Sequence, residues 1–316
     1  MRNPLVKKPY YSLILPAYNE EQSIQETYLR LKDTMDQLAR PYEIIFVNDG
    51  SHDMTHQLLN SLHELDSHVK VIHFSRNFGH QTAVTAGMAK CTGDYVAVLD
   101  ADLQDPPEVL GAFFEKAESG YDVVYAVRTK RKEHLPKRLG YALFYRFLAS
   151  ISQTQIPLDS GDFCVMSRRV VVALNALPER NRFVRGLRSW VGYRQIGLEY
   201  ERAGRYAGES KYPFAKLLKL AFDGIFSFSY VPLQLISVLG SVGMMAAVIG
   251  SVWAFYQRFF TPNYNAVPGF ATTVILVMFI GGLQLFSLGI VGEYMRRMYD
   301  EIKARPQYII ESEVGF

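Results

Sequence analysis

The chain has 316 residues, 49% of them hydrophobic, and a net charge of only +3. That balance leaves no basic footprint for nucleic acid, and the length gives one α/β domain with a substantial remainder. Cys91 and Cys164 lie far apart, without metal-ligand spacing or a disulfide framework, which points to a reducing compartment.

Met1 to Tyr10 carries charges but no apolar run, so no signal peptide is read there. From Tyr11 onward, strand and helix patterns alternate. Strands are expected at Tyr11–Leu15, Tyr42–Val47, Val69–Phe74, Tyr95–Leu99 and Asp122–Ala126. Helices are expected between them, at Glu20–Leu38, Asp53–Leu65, Gln81–Ala89 and Pro107–Glu118. This order predicts a doubly wound, mostly parallel sheet. No GxGxxG follows the first strand, so the dinucleotide fingerprint is missing.

Polar residues gather where these strands end. The clusters are PAYNE at 16–20, NDGS at 48–51, SRNFG at 75–79, and Asp100 with Asp102 after the fourth strand. Open α/β sheets bind ligands at the carboxyl ends of their strands. Two carboxylates one residue apart repel each other unless a cation or donors compensate. A hard divalent metal carrying a diphosphate would do so. A lone Asp-x-Asp is more often a solvated acidic loop, and Asn, Asp and Gly favour turns anyway. Four such clusters on one sheet edge favour a site. His52 and His56, four apart on a helix, read as a solvated face because no third ligand is near.

Two uncharged stretches follow, Gly224 to Gln257 and Phe259 to Gly292. Each exceeds the ~20 residues needed to cross a bilayer. Spans are expected near Val231–Tyr256 and Phe270–Gly292, joined by a turn containing Pro262, Asn263, Asn265 and Pro268. A hairpin of buried core helices is the alternative. Lys211, Lys216 and Lys219 precede the first span, and Arg296, Arg297, Lys303 and Arg305 follow the second. The positive-inside rule then puts both ends, and the large N-terminal part, in the cytoplasm. Phe214, Leu217, Leu218, Ala221, Phe222 and Ile225 recur at helical spacing. They suggest an interfacial amphipathic helix, with a core-facing helix as the alternative. The expected division is a large cytoplasmic domain over 1–212, an interfacial helix over 213–229, a transmembrane hairpin over 230–293 and a cytoplasmic tail over 294–316.

The four strand-end motifs, with the fourth read as DADLQDPPE at 100–108, resemble glycosyltransferase family 2. Its catalytic domain has the Rossmann-like nucleotide-sugar fold called GT-A. GDF at 161–163, LPERNRFVRGLRSWVGY at 177–193, AGESKY at 207–212 and LGIVGEYMRRMYDEIKARPQYII at 288–310 narrow the resemblance. They are similar to membrane-bound polyprenyl-phosphate glycosyltransferases, bactoprenol glucosyltransferases above all, with dolichol-phosphate mannose synthases sharing the catalytic half. The resemblance implies transfer of a sugar, best taken as glucose, from a UDP-sugar to undecaprenyl or another polyprenyl phosphate, with Mg²⁺ or Mn²⁺. It also implies a multi-pass protein of the plasma membrane, a tetramer, and a role in O-antigen modification.

Residue by residue, the resemblance implies that Pro16, Tyr18, Glu20 and Asp49 hold the uracil and ribose, with Arg76 and Gly79 near the base. Asp100, Asp102 and Gln104 match the metal and diphosphate site. Arg128, Arg138, Arg205, Ser210 and Lys211 match phosphate-binding positions. Asp162 matches the acid proposed as base, with Asp159 as second candidate. One departure stands out: related sequences read GDFR, and here Cys164 takes the Arg place. A processive polysaccharide synthase of the same superfamily is a weaker reading, since Arg185 to Trp190 lacks a QxxRW pattern. A catalytically inactive membrane scaffold is the reading from another class, and the intact carboxylates oppose it.

Overall fold

The computed structural model describes residues 8–128, 160–180, 182–201, 231–260 and 270–316. They fall into two units. One joins the chain up to residue 217 with residues 305–316, and the other covers residues 218–304.

The first unit is an α/β sheet of the GT-A kind. In chain order its elements are β1 (Tyr11–Ala17), α1 (Ile24–Leu38), β2 (Tyr42–Asn48), α2 (Thr55–Leu65), β3 (Val69–Phe74), α3 (His80–Lys90) and β4 (Tyr95–Val98). A short 3-10 turn at Pro107–Val109 leads into α4 (Leu110–Glu118). Then come β5 (Val123–Arg128), β6 (Ser160–Ser167), α5 (Arg168–Ala176), α6 (Val184–Trp190) and β7 (Gln195–Tyr200). The last strand, β8 (Ile310–Val314), follows the second unit.

The sheet order is β7-β5-β6-β4-β1-β2-β3-β8. Strands β4, β1, β2 and β3 run parallel, and β6 lies antiparallel between β4 and β5. All seven residues of β1 and of β2 are buried, as expected for central parallel strands covered on both faces. Helix α1 presents Ile24, Tyr28, Leu31 and Met35 to the core at intervals of three and four. It starts four residues later than its periodicity predicts, because residues 19–21 are bonded to the loop after β2. On the other face α3 packs on β1 and β2 so tightly that a Cβ at Gly87 would strike Ile14. The chain runs outward from β1 through β2 to β3, then returns to place β4 on the other side of β1. The crevice between the carboxyl ends of β1 and β4 is therefore the switch point where such sheets bind ligands.

The structure differs from the expected C-terminal tail. Residues 310–314 form an antiparallel edge strand on β3, and Tyr308 stacks on Phe74 with ring centroids 5.0 Å apart. Lys90 Nζ donates to Glu313, 2.9 Å away. Ile310 and Val314, four apart on one face of the strand, are partly buried, while the three residues between them are exposed.

The second unit holds α7 (Val231–Phe260) and α8 (Phe270–Lys303). Both are long and apolar enough to cross a membrane, with mean hydropathy 1.9 over Val231–Gly250 and 1.7 over Leu276–Lys303. Among the described residues neither apolar window is buried. The proposed interfacial helix at 213–229 lies outside the described residues.

Candidate active site

The loop after β1 is latched to the loop after β2. Asn19 adopts a left-handed φ of 55° and donates its backbone N–H to Ser51 Oγ at 3.0 Å. The backbone of His52 donates back to Asn19 Oδ1 at 2.9 Å. Glu20 N–H donates to Thr55 Oγ1, while the Ser23 hydroxyl donates to the Glu20 carboxylate at 2.6 Å. These bonds fix PAYNE as a rigid rim rather than the start of α1. Pro16 is buried within β1, and Tyr18 is left exposed at the rim.

A second latch ties the loop after β2 to the loop after β3. The buried Asp49 carboxylate accepts backbone N–H bonds from Phe78 at 2.6 Å and Gly79 at 2.9 Å. Burial pushes its pKa up, against those amides and the nearby His80 and Arg76. Gly50, at φ 66°, lets the two loops touch: a Cβ there would fall 2.6 Å from the Asn77 backbone nitrogen. Arg76 stays exposed, its guanidinium 4.0 Å above the Phe78 ring. Beneath this region His73 is fully buried, its Nδ1 3.0 Å from the Asn48 amide and its Nε2 2.9 Å from Asn60 Oδ1.

The acidic pair follows β4. Asp102 Oδ1 accepts the Gln104 backbone N–H at 3.1 Å, closing an Asx turn. Between them Leu103, buried, holds a φ of 58°, a costly conformation for a branched side chain and one that clusters at functional sites. Buried Asp105 accepts the hydroxyl of Tyr200 from the end of β7.

Antiparallel pairing brings β6 to this end. Val98 faces Cys164, so continuing the register places Asp162 across from Asp100. His80, the first residue of α3, stands between them, with Nε2 3.8 Å from Asp100 Oδ1 and 3.8 Å from Asp162 Oδ2. From α6, Arg185 Nη2 reaches Asp162 Oδ1 at 3.3 Å. Burial pushes Asp162 up, but Arg185, His80 and Arg188 outweigh it and hold this carboxyl below the usual carboxylate range. Asp100 goes the other way. Burial raises it to about 6, helped by Asp105, Asp162 and Asp102 and opposed by His80.

Asp102, Asp105 and Asp162 add negative charge around Asp100, and a divalent cation fits there. Among the described residues no three His, Cys, Asp or Glu side chains form a ready-made cage. A cation held by one or two carboxylates together with substrate phosphates needs no such cage.

Thus the structure brings Asp100, Asp102, Gln104 and Asp162 to one edge of the sheet, with Pro16, Tyr18, Glu20, Asp49, Arg76 and Gly79 on the adjoining rim. Arg128 ends β5, paired with Tyr200 of β7. Asp159, Arg138, Arg205, Ser210 and Lys211 lie outside the described residues. Sequence reasoning passed over His80, Arg185 and Arg188. The signal for His80 was its place directly after Gly79, at the head of a helix starting from the site edge.

A sheet of this order with an Asp-x-Asp pair at its switch point is the arrangement of a GT-A transferase. Residues 12–174 match the glycosyl transferase family 2 profile. The chain belongs to that family and is a glycosyltransferase. It is 47% identical to an uncharacterized glycosyltransferase, YkcC, of Bacillus subtilis, over 96% of this chain and 94% of that protein. It is 40% identical to the bactoprenol glucosyl transferase of Shigella phage SfV, over 96% of this chain and 98% of that protein. A prophage bactoprenol glucosyl transferase homolog of Escherichia coli is 39% identical, over 95% and 98%. Among solved structures, glucosyl-3-phosphoglycerate synthase from Mycobacterium tuberculosis matches with a TM-score of 0.47 and 22% identity, over 69% of this chain and 78% of that one.

Proposed function

We propose that this chain transfers a hexose, glucose in our reading, from a UDP-sugar to a polyprenyl phosphate at the cytoplasmic face of the plasma membrane. The observation that carries the reading is Asp162 set opposite the Asp100–Asp102 pair, with guanidinium groups behind it. Two helices of membrane-crossing length in the same chain support a lipid acceptor, and so do relatives named bactoprenol glucosyl transferase.

Asp100 and Asp102, with Gln104 beside them, would hold Mg²⁺ or Mn²⁺, which supplies Lewis acidity at the leaving diphosphate. The latched rim of Pro16, Tyr18, Glu20 and Asp49 would seat the nucleoside. A single in-line displacement on an oxocarbenium-like sugar inverts the anomeric centre. The nucleophile is a phosphate oxygen whose second pKa, about 6, leaves it largely deprotonated at neutral pH. A strong general base is therefore unnecessary. Asp162, held ionised by Arg185 and His80, suits positioning and electrostatic steering better than proton removal. Arg128, Arg138, Arg205, Ser210 and Lys211 are assigned to the acceptor phosphate, where Arg binds bidentately and Lys as a point charge.

The test is transfer from a panel of radiolabelled UDP-sugars to undecaprenyl phosphate by the purified full chain, with Mg²⁺, with Mn²⁺ and with chelator. One labelled lipid product, lost on chelation, is expected. UDP binding without product from any sugar would overturn the assignment.

A further inference from the structure

Residues 304–309 lead from α8 to β8, and β8 pairs along the free edge of β3. Covering an exposed strand edge is reason enough for Ser312, Glu313 and Val314 to lie against His73, Ile72 and Val71. The pairing does not stop there. Its register skips Glu311 between His73 and Phe74, a bulge of the kind that re-aims a strand and gathers beside functional sites. Beyond the bulge Ile310 faces Phe74, and the Ser75 backbone N–H donates to the Ile309 carbonyl at 3.1 Å. Ser75 is the first residue of the SRNFG loop, so the C-terminal segment continues past the end of β3 into the nucleoside rim. Edge protection alone does not call for that.

Side chains carry the contact further. Tyr308 lies on Phe74 with the two ring planes inclined by 18°. Phe74, itself buried, meets Phe78 edge-on, at 5.7 Å and 88°. Arg76 then covers the Phe78 ring from the loop's outer side. Stacked and edge-to-face pairs of this kind add to what burial gives and fix the direction of each ring. The backbone N–H groups of Phe78 and Gly79 are the ones that close the rim on Asp49. An aromatic chain therefore runs from Tyr308 through Phe74 to Phe78 and these two amides. Its outer end is anchored, since Gln307 Nε2 donates to the Glu179 carbonyl at 2.9 Å. The far end of β8 is fastened elsewhere, by Lys90 to Glu313 and by Lys70 and Lys90 against the Phe316 ring.

We propose that Tyr308 is a positioning residue for the sugar donor, holding the 75–79 loop in the shape that the nucleoside meets. It acts through Phe74 and Phe78 rather than by touching the nucleotide. Loss of its ring frees one face of Phe74, lets Phe78 turn, and loosens the Phe78 and Gly79 amides from Asp49. The consequence falls on donor affinity and not on the bond-making step, because Asp100, Asp102 and Asp162 stand on the other side of the crevice.

The inference rests on assigning the 75–79 loop to the nucleoside, and the test separates the two. Five full-length proteins in detergent are compared: the unaltered chain, Tyr308→Ala, Tyr308→Phe, Phe316→Ala and Phe78→Ala. Calorimetric titration with UDP and Mg²⁺ gives affinity, and amide hydrogen exchange over 75–79, read by mass spectrometry, gives the hold on the loop. Tyr308→Ala is expected to weaken UDP at least about fivefold, the scale of one lost aromatic pair, and to speed exchange in the loop. Tyr308→Phe keeps the ring and is expected to restore both to within about twofold. Phe316→Ala should lower the unfolding temperature while UDP affinity and loop exchange stay within about twofold, which tells the specific contact apart from a general loosening of β8. In a transfer assay the KM for the UDP-sugar should follow the same order, with the kcat of Tyr308→Ala within about threefold of the unaltered chain. If Tyr308→Ala does not fold, Tyr308→Leu takes its place, with apolar volume but no flat ring and the same expectation. Should Phe78→Ala weaken UDP while Tyr308→Ala leaves it unchanged, the proposal is overturned and the rim stands. Should neither weaken UDP, the assignment of the loop falls and the proposal with it. Equal losses of affinity in Tyr308→Ala and Phe316→Ala would also overturn it, since the stability of the strand would then explain both.

Discussion

The two sides of the crevice are built in opposite ways. On the nucleoside side, backbone amides and short polar side chains satisfy one another: Asn19 with Ser51 and His52, Asp49 with Phe78 and Gly79, His73 with Asn48 and Asn60. On the transfer side, charges face one another at longer range. His80 stands 3.8 Å from two carboxylates. The buried nitrogens His80 Nε2, Arg185 Nε and Arg188 Nε have no hydrogen-bond partner among the described residues. The first side is finished by folding alone. On the proposed reading the second is completed when a cation and phosphates arrive, which is the form of a preorganised electrostatic site. Substitutions on the first side should therefore act through stability and nucleotide binding, and those on the second through turnover.

The largest expected effect is on the transfer side. Asp102→Asn keeps the shape of the Asx turn but removes a charge on which the proposed divalent cation would depend. A loss of about 10³-fold in kcat, about 4 kcal/mol, is expected, with the unfolding temperature unchanged or raised. A variant that keeps more than a tenth of normal turnover would mean that Asp102 holds no metal.

Gly50→Ala probes the other side. It must tolerate a positive φ and push its methyl into the backbone of Arg76 and Asn77. The two terms together should cost about 3 kcal/mol of stability. UDP binding should weaken as the 75–79 loop shifts, while kcat at saturating donor falls much less. A drop in kcat with unaltered donor affinity would break the division between the two sides.

Asp162→Asn separates positioning from base catalysis. A fall of about 10²-fold is expected, the scale of a misplaced reacting group. The pH–rate profile should stay flat above neutrality in both proteins. Activity of the variant rising with pH until it meets the unaltered chain would restore the general-base role.

How much of this was legible in the sequence follows the same division. Local hydrogen bonding needs turn-forming residues close to strand ends, so PAYNE, NDGS and SRNFG announced the nucleoside rim. The Asp-x-Asp pair, set by the end of β4, was equally plain. Of the opposing wall only Asp162 was named, through the family resemblance, because the wall depends on register. Asp162 becomes a neighbour of Asp100 only once β6 is known to insert antiparallel beside β4. Arg185 and Arg188 matter only once α6 is known to lie over β6. In the sequence, LPERNRFVRGLRSWVGY offers several arginines with nothing to distinguish the buried one. The edge strand β8 was missed for a related reason. A five-residue strand with three exposed polar positions has no signal apart from its partner β3.

The last effect is one of stability alone and concerns the foundation of the nucleoside side. His73 accepts at Nδ1 from the Asn48 amide and donates from Nε2 to Asn60, which fixes the neutral ring. A second proton at Nδ1 would point at a donor. Burial, and then the neighbouring His56 stacked 3.8 Å away, push its pKa down to about 4. An ordinary histidine titrates near ~6.5, so the unfolded chain takes up the proton first. The contribution is therefore complete above pH ~6.5 and is lost as pH falls toward 4, by about 1.4 kcal/mol per pH unit within that window. His73→Gln removes the titrating group, so the difference in unfolding free energy between the two proteins should narrow steadily from pH 6.5 to 4 and stay constant above. A difference independent of pH across that window would mean that His73 is charged in the folded chain, and that the nucleoside side carries an ionic contact of the kind assigned here only to the transfer side.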